Sequence, residues 1–401
     1  MSNIVVIGAG QAGASLVVKL RNLGHQGSIT LIGEEPMPPY QRPPLSKAYL
    51  LGEMELERLF LRPESFYADN DITLLTSHTA VSIDRTGKHV VVNDRQISYD
   101  HLALTTGSIP RGLPAAIGGT LGGVQTVRTL ADVDAMAPGF VKDKRVLIVG
   151  GGYIGLEAAA VAAKSGMQVT LVEMGDRILQ RVACPETSDY FRALHQSQGV
   201  DIREKTGLQH LTGDGHVTGA VLSDGSELSC DMVIVGIGIT PAIGLAETAG
   251  LDIDNGIKTD AQGRTSDPAI WSAGDCASFP YKDSRLRLES VGNAIDQAEC
   301  VAENIMGAGK EYQPKPWFWS DQYDTKLQIA GLNTGYDRIV TRDGGEAISF
   351  WYYAGETLLA VDAMNDARAY MIGKRLIEAG KSPDPAVIAD ATADLKPLLR
   401  S

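Results

Sequence analysis

The stretch Lys144-Arg145-Val146-Leu147-Ile148-Val149-Gly150-Gly151-Gly152-Tyr153-Ile154-Gly155-Leu156-Glu157, followed by an Ala-rich run and then Gln168-Val169-Thr170-Leu171-Val172-Glu173, decides the fold. The apolar run Val146 to Val149 reads as a buried strand that breaks into glycines. The Ala-rich run reads as a helix turning at Ser165-Gly166, and Gln168 to Val172 as a second strand ending on an acid. This is a βαβ unit with the dinucleotide fingerprint Gly150-x-Gly152-x-x-Gly155. In such a unit the first glycine makes the tight turn and the second lets the backbone approach a pyrophosphate. The third lets helix and strand pack closely, so the diphosphate meets free N–H groups at a helix N-terminus. Glu173 stands where a carboxylate accepts hydrogen bonds from both hydroxyls of an adenosine ribose. Its charge repels a 2′-phosphate and favours NADH over NADPH, while Arg177, four residues on, is the one opposing charge.

The N-terminus repeats this logic. Ile4 to Ile7 runs into Gly8-Ala9-Gly10-Gln11-Ala12-Gly13, an apolar helix follows through Leu20, and a strand from Ser28 to Ile32 ends in Gly33-Glu34-Glu35. Glu34 is the expected ribose ligand and Glu35 the alternative. Two such units imply two dinucleotides, and FAD at one with NAD(P)H at the other is the economical assignment.

With 401 residues, the chain is too long for one ordinary core and suggests two or three domains. Its longest apolar run, around Met232 to Ile239, is interrupted by glycines and falls short of a bilayer span. The chain enters its first strand without a basic segment and apolar signal, so a cytoplasmic protein with no membrane partner is expected. Cys184, Cys230, Cys276 and Cys300 form no CxxC pair, a spacing that gives no zinc, iron–sulfur or dithiol site. The seven histidines are equally scattered; His195, in an amphipathic segment, comes nearest to a ligand, and packing is its ordinary role. A net charge of −13 opposes non-specific nucleic-acid binding and leaves room for a local basic patch.

Between the cradles, Thr73 to Ile83 and His89 to Val92 suggest a meander, and Leu102 to Gly107 a strand ending in a Gly turn. Before them, the prolines of Tyr40 to Lys47 stiffen the backbone, and Lys47 is a possible helix start. Beyond the central unit, Gly219 to Leu228 suggests a hairpin turning at Asp224-Gly225, and Asp231 to Val235 a buried strand. A strand near Trp271 closes on Gly274-Asp275, where the acid either holds a ribityl hydroxyl of FAD or caps a helix. A helix from Glu289-Ser290-Val291 through Asn304 can turn its N-terminus to the flavin pyrimidine edge. The last segment holds the aromatic run Trp317-Phe318-Trp319, with Trp317 and Phe318 expected in the core. Antiparallel strands at Lys326 to Val340 and Ile348 to Val361 and a helix at Ala367 to Ala379 complete a third, smaller α+β domain.

This ordered set resembles the FAD-dependent ferredoxin reductases of bacterial oxygenase systems, the putidaredoxin reductase and biphenyl dioxygenase reductase group, over essentially the whole chain. The resemblance rests on the first GxGxxG, Arg42-Pro43-Pro44-Leu45-Ser46-Lys47, Gly150 to Glu157, Gly236 to Pro241, Gly274-Asp275, Glu289 to Ala294 and Trp317 to Tyr323. Gly292 departs from it, since relatives often carry Gln or Pro there. It implies an α/β, glutathione-reductase-like fold of two Rossmann-like dinucleotide-binding domains plus a small C-terminal α+β domain. The implied division is a discontinuous FAD domain at 1–110 and 240–316, an NADH domain at 111–239 and an interface domain at 317–401.

The resemblance further implies FAD at Gly8, Gly10, Ala12, Gly13, Glu34, Arg42, Lys47, Ala80, Arg128, Gly274, Asp275 and Val291. NADH would lie at Gly150, Gly152, Tyr153, Ile154, Gly155, Glu173 and Gly238. Lys47, near the flavin N5 side, pairs with Glu157, and Trp319 lies close to the flavin on the ferredoxin-facing side; these three are the implied catalytic set. Where disulfide-reducing flavoenzymes carry a cysteine pair, this chain has Pro43 to Lys47, so electrons leave the flavin directly. The implied activity is an NADH:ferredoxin oxidoreductase serving a [2Fe-2S] ferredoxin that feeds a cytochrome P450 or a ring-hydroxylating dioxygenase. An acidic ferredoxin needs a basic surface, for which Arg285, Arg287, Lys374 and Arg375 are the candidates, with ordinary solvated charge the other reading. Alternatives within the architecture are a reductase of rubredoxin or a small quinone-like molecule, and a flavoprotein of the apoptosis-inducing-factor type.

Overall fold

Short aliphatic runs, each ended by glycine or a polar turn, form the strands of two parallel sheets. The computed structural model describes residues 2–400. They divide into two units, one of residues 2–41, 55–109 and 239–316, the other of 42–54, 110–238 and 317–400. Residues 42–54, expected with the first dinucleotide domain, thus group with the second, and the C-terminal segment shares that unit.

In the first unit, Ile4–Ile7 is buried on both faces and sits centrally in a five-stranded sheet. It pairs in parallel with Ile29–Ile32 on one side and His101–Leu104 on the other, and Ile72–Leu75 and Ile270–Ser272 form the edges. Burial on both faces is what makes these strands read as continuous apolar runs. The helices Gln11–Asn22 and Val291–Ile305 supply Leu16, Val17, Leu20, Ala298 and Val301 to one core, with Trp271 and Tyr67 fully buried beside them. The expected meander from Thr73 is corrected. Ile72–Leu75 is a parallel edge strand entered from the helix Glu64–Asp69, a connection suited to parallel pairing. The meander proper is Ala80–Asp84, His89–Val92 and Arg95–Ser98.

In the second unit, Arg145–Val149 is central to a parallel sheet ordered Asp201–Arg203, Gln168–Val172, Arg145–Val149, Met232–Val235, Val124–Thr126. The hairpin expected near Asp224-Gly225 joins His216–Leu222 to Glu227–Ser229, with Gly225 at φ +81°. The C-terminal segment folds into five antiparallel strands backed by the helix Ala367–Glu378. Each of the two long strands expected there is divided. The first becomes Thr325–Gly331 and Arg338–Asp343, and the second Ile348–Ala354 and Thr357–Met364, the latter pair turning at Gly355. Trp351, Tyr353 and Val361 pack there against Ala369, Ile372 and Leu376 of the helix.

Candidate functional site: two dinucleotide cradles and a buried ion pair

Each parallel sheet carries a glycine turn between its central strand and the following helix. Gly8 and Gly150 sit at φ +110° and +107°, and a Cβ on them would come within 2.2 Å of the Thr105 carbonyl and 2.4 Å of the Gly236 carbonyl. Only glycine accepts both that backbone and that approach. A Cβ on Gly13 or Gly155 would lie 2.1 Å from the carbonyl of Gly8 or Gly150. Around Gly10 and Gly152, by contrast, a Cβ would meet no protein atom within 4 Å. The open space therefore lies at the middle glycine, where the fingerprint needs room for a pyrophosphate.

Gly10 and Gly152 cap the helices Gln11–Asn22 and Tyr153–Lys164 in extended backbone, with no side-chain cap and no acid in the first turn. Some helices elsewhere are closed by side chains, Leu130–Met136 by a Thr129–Asp132 capping box and Ala367–Glu378 by Asp366, while Pro185–Ser197 also lacks a side-chain cap but carries Glu186 in its first turn. Uncapped N-termini with their positive dipole ends suit an anion, so the residues present fit two dinucleotide diphosphates.

The acids differ between the cradles. Glu173 Oε2 accepts from the Gly151 N–H and Oε1 from the Gly175 N–H, each at 2.7 Å, which fixes the carboxylate across the turn. Arg177 is directed away from a ribose ligand role. It donates to the Ser188 hydroxyl, and to the carbonyls of Cys184 at 3.3 Å and Ala183 at 2.8 Å. In the first cradle Glu34 is exposed, while Glu35 is half-buried and accepts from the Tyr40 hydroxyl at 2.5 Å. Tyr153 packs its ring on Phe318 at 4.9 Å, Ile154 is exposed, and Gly238 (φ +101°) accepts from the Arg111 N–H at 2.9 Å.

The residues expected around FAD fall in both units: Gly8, Gly10, Ala12, Gly13, Glu34, Ala80, Gly274, Asp275 and Val291 in the first, Arg42, Lys47 and Arg128 in the second. Within the first, a Cβ on Gly274 (φ +84°) would lie 3.0 Å from the Ala12 Cβ, so this turn packs on the cradle helix. Asp275 accepts from the Ser108 hydroxyl at 2.9 Å, and the strand Ala277–Tyr281 follows it, which removes the helix-cap reading. Ala80 opens the meander, and Val291 starts the helix that Ser290 caps through the Asn293 N–H. Within the second unit, Arg42 donates to the Arg128 carbonyl at 2.6 Å.

Lys47 does not start a helix; it ends the 3₁₀ turn Pro43–Ser46. Its ammonium lies 3.0 Å from Glu157 Oε1, 4.0 Å from Asp321 and 5.9 Å from the Trp319 ring centroid. Glu157, on the second cradle helix, is only 3 % exposed. Burial pushes its pKa up, against the opposing pull of the Lys47 charge and of the Ser320 and Ser46 hydroxyls. Ser46 donates to Oε2 at 2.8 Å and Ser320 to Oε1 at 2.7 Å. These two serines were not singled out from the sequence. The signal for Ser320 is the alternation along Trp317–Gln322, which buries Ser320 and Gln322. Trp317 and Phe318, expected in the core, are half-buried, and Trp317 stacks on Trp319 with centroids 5.4 Å apart.

Three of the four proposed docking cations have partners of their own. Arg285 donates to the Thr259 and Ser278 carbonyls, Arg287 pairs with Glu289, and Lys374 pairs with Glu378. Of the four only Arg375 is exposed. His195 is buried between Gln322 and Tyr323 instead of reaching a ligand. Among the described residues no three His, Cys, Asp or Glu side chains cluster as a metal site, and no helix is long and apolar enough to cross a membrane.

The sequence model of the family described as pyridine nucleotide-disulphide oxidoreductase matches residues 2–298, and that described as reductase C-terminal matches 317–399. The chain is 44% identical over 393 residues to a ferredoxin–NAD(P)(+) reductase of a Sphingomonas species, covering 96% of this chain and 95% of that one. It is 40% identical over 408 residues to putidaredoxin reductase of Pseudomonas putida, covering 99% and 96%. Its fold matches the crystal structure of a covalent putidaredoxin reductase–putidaredoxin complex with a TM-score of 0.96 at 39% identity, covering 100% of this chain and 98% of that one. With matches of this extent, and with both cradles intact, the chain belongs to the pyridine nucleotide-disulphide oxidoreductases and, among them, to the ferredoxin reductases that use FAD and NAD(P)H.

Proposed function

We propose that this chain is a cytoplasmic NADH-dependent reductase of a [2Fe-2S] ferredoxin that serves a cytochrome P450 or a ring-hydroxylating dioxygenase. The observation that carries this reading is the pairing of Lys47 with buried Glu157 beside Trp319, in the segment where a dithiol relay would otherwise stand. All four cysteines are free and buried, which supports electron transfer without a disulfide step. We assign FAD to the Gly8 cradle, with 1–110 and 240–316 as its domain, NADH to the Gly150 cradle within 111–239, and partner contact to 317–401.

Bound FAD supplies the conversion of a two-electron donor into one-electron deliveries. The protein's part is binding, orientation and charge. The uncapped helix starts at Gly10 and Gly152 hold the diphosphates. Glu173 holds the ribose and disfavours a 2′-phosphate, and the engagement of Arg177 elsewhere supports NADH over NADPH. Lys47 offsets negative charge on the reduced ring system, and Glu157 keeps Lys47 in place. Trp319, stacked on Trp317, offers an aromatic face toward the acceptor. Anaerobic NADH titration, followed by NADH-driven cytochrome c reduction with and without a [2Fe-2S] ferredoxin, tests the reading. Acceleration by the ferredoxin is expected. Acceleration by a rubredoxin or a quinone alone would overturn the acceptor assignment.

A further inference from the structure

The carboxylate of Glu157 is the end of a longer hydrogen-bonded line. Because Ser320 gives its only proton to Glu157, its oxygen must accept, and it does so from Gln322 Nε2 at 3.1 Å. That sets the amide, since a flipped Gln322 would oppose two acceptors. Gln322 Oε1 then receives the Nε2–H of His195 at 2.8 Å, and His195 Nδ1 is left to accept from the Tyr323 hydroxyl at 3.1 Å. Every donor points the same way, from Tyr323 through His195, Gln322 and Ser320 to Glu157. Ser320, Gln322 and His195 are all buried.

We infer that Tyr323, His195, Gln322 and Ser320 act as positioning residues, a one-way string of dipoles that holds Glu157 as an anion for Lys47. An amide in the line interrupts proton transfer, so the string polarises and does not conduct. The charged groups facing this carboxylate are Lys47 and, behind it, Asp321. The other groups are neutral near pH 7: burial holds His195 down at about 4 and pushes the Tyr323 phenol up. The consequence for the reaction rests on the reading of Lys47 as the flavin-side cation; the string itself does not.

The test uses the full FAD-loaded chain and the infrared band of the protonated Glu157 carboxyl, identified by its loss in Glu157→Gln and titrated with pH. Ser320→Ala should raise the proton affinity of Glu157 roughly tenfold, the effect of losing one hydrogen bond to a charge. Gln322→Leu, or Gln322→Met if the leucine variant folds poorly, should give a smaller rise, His195→Phe a smaller one still, and Tyr323→Phe the least. His195→Gln, which keeps a donor toward Gln322, should restore part of the loss. No shift in Ser320→Ala and Gln322→Leu, lowered melting temperatures without a band shift, or a shift at Tyr323 equal to that at Ser320 would overturn the string. If the band moves in the expected order while the pH profile of NADH-driven flavin bleaching stays fixed, the string stands and the assignment of Lys47 to the flavin fails.

Discussion

The two cradles are the same object in backbone and different objects in side chains. A Cβ on the first, second or third glycine meets the same environment in each to within about 0.2 Å, open space at the middle position included. Seven residues after the first glycine, however, the Gly8 helix carries Ser15 and the Gly150 helix carries Glu157. Ser15 accepts a local hydrogen bond from Gln11, whereas Glu157 is buried and ion-paired. The acid at the end of the second strand, the proposed ribose ligand, is fastened by two N–H groups in one cradle and exposed in the other. The open glycine turn is thus a backbone property common to both cradles, and the two differ in a few side chains around it.

The severest way to break this comparison is to fill its closest approach. Gly13→Val and Gly155→Val each drive a Cβ into a backbone carbonyl that no rotamer change relieves. Each should lose more than about 3 kcal/mol in denaturant unfolding. The next test uses an asymmetry: the two deeply buried acids, Glu157 and Asp362, both lie in the second unit. Burial holds Asp362 up at about 6 from 3.8, and His195 down at about 4 from 6.5. Between pH 4 and 6 the folded state keeps the Asp362 proton that the unfolded chain loses, so this contribution to stability falls as pH rises. The His195 contribution has the opposite sign and is lost as pH falls from 6.5 through 4. Asp362→Asn removes the first and leaves the second, so its stability relative to the parent should rise by about 3 kcal/mol from pH 4 to 7, read by urea titration at each pH. A flat difference would place a different charge on Asp362.

A smaller effect is expected at the ribose acid. Glu173→Ala should raise the NADH KM roughly tenfold and narrow the NADH/NADPH preference in steady-state kinetics. An unchanged ratio would mean that the clamped carboxylate does not read the ribose.

Both glycine cradles and the hairpin at Gly225 were legible because each is written in contiguous residues with glycine at fixed spacing. The strand Ile72–Leu75 was misread because a four-residue apolar run does not say whether its partner is antiparallel and near or parallel and distant. Trp317 and Phe318 were read as core because strings of aromatics usually are, which does not say what covers them. Glu157 was reached through the family resemblance, which pairs it with Lys47. Its partners Ser46 and Ser320 lie 111 and 163 residues away in sequence, and only the folded chain brings them together. His195 looked like an unattached histidine for the same reason, since Gln322 is 127 residues away.

Gly10→Ala and Gly152→Ala separate the two cradles cleanly, because neither added methyl meets a protein atom within 4 Å. The measurement is flavin absorbance of the purified protein during anaerobic NADH addition. Gly10→Ala should lose FAD roughly tenfold more readily, while Gly152→Ala stays yellow and needs roughly tenfold more NADH to bleach. A colourless Gly152→Ala beside a yellow, normally bleached Gly10→Ala would contradict the assignment of the two cradles.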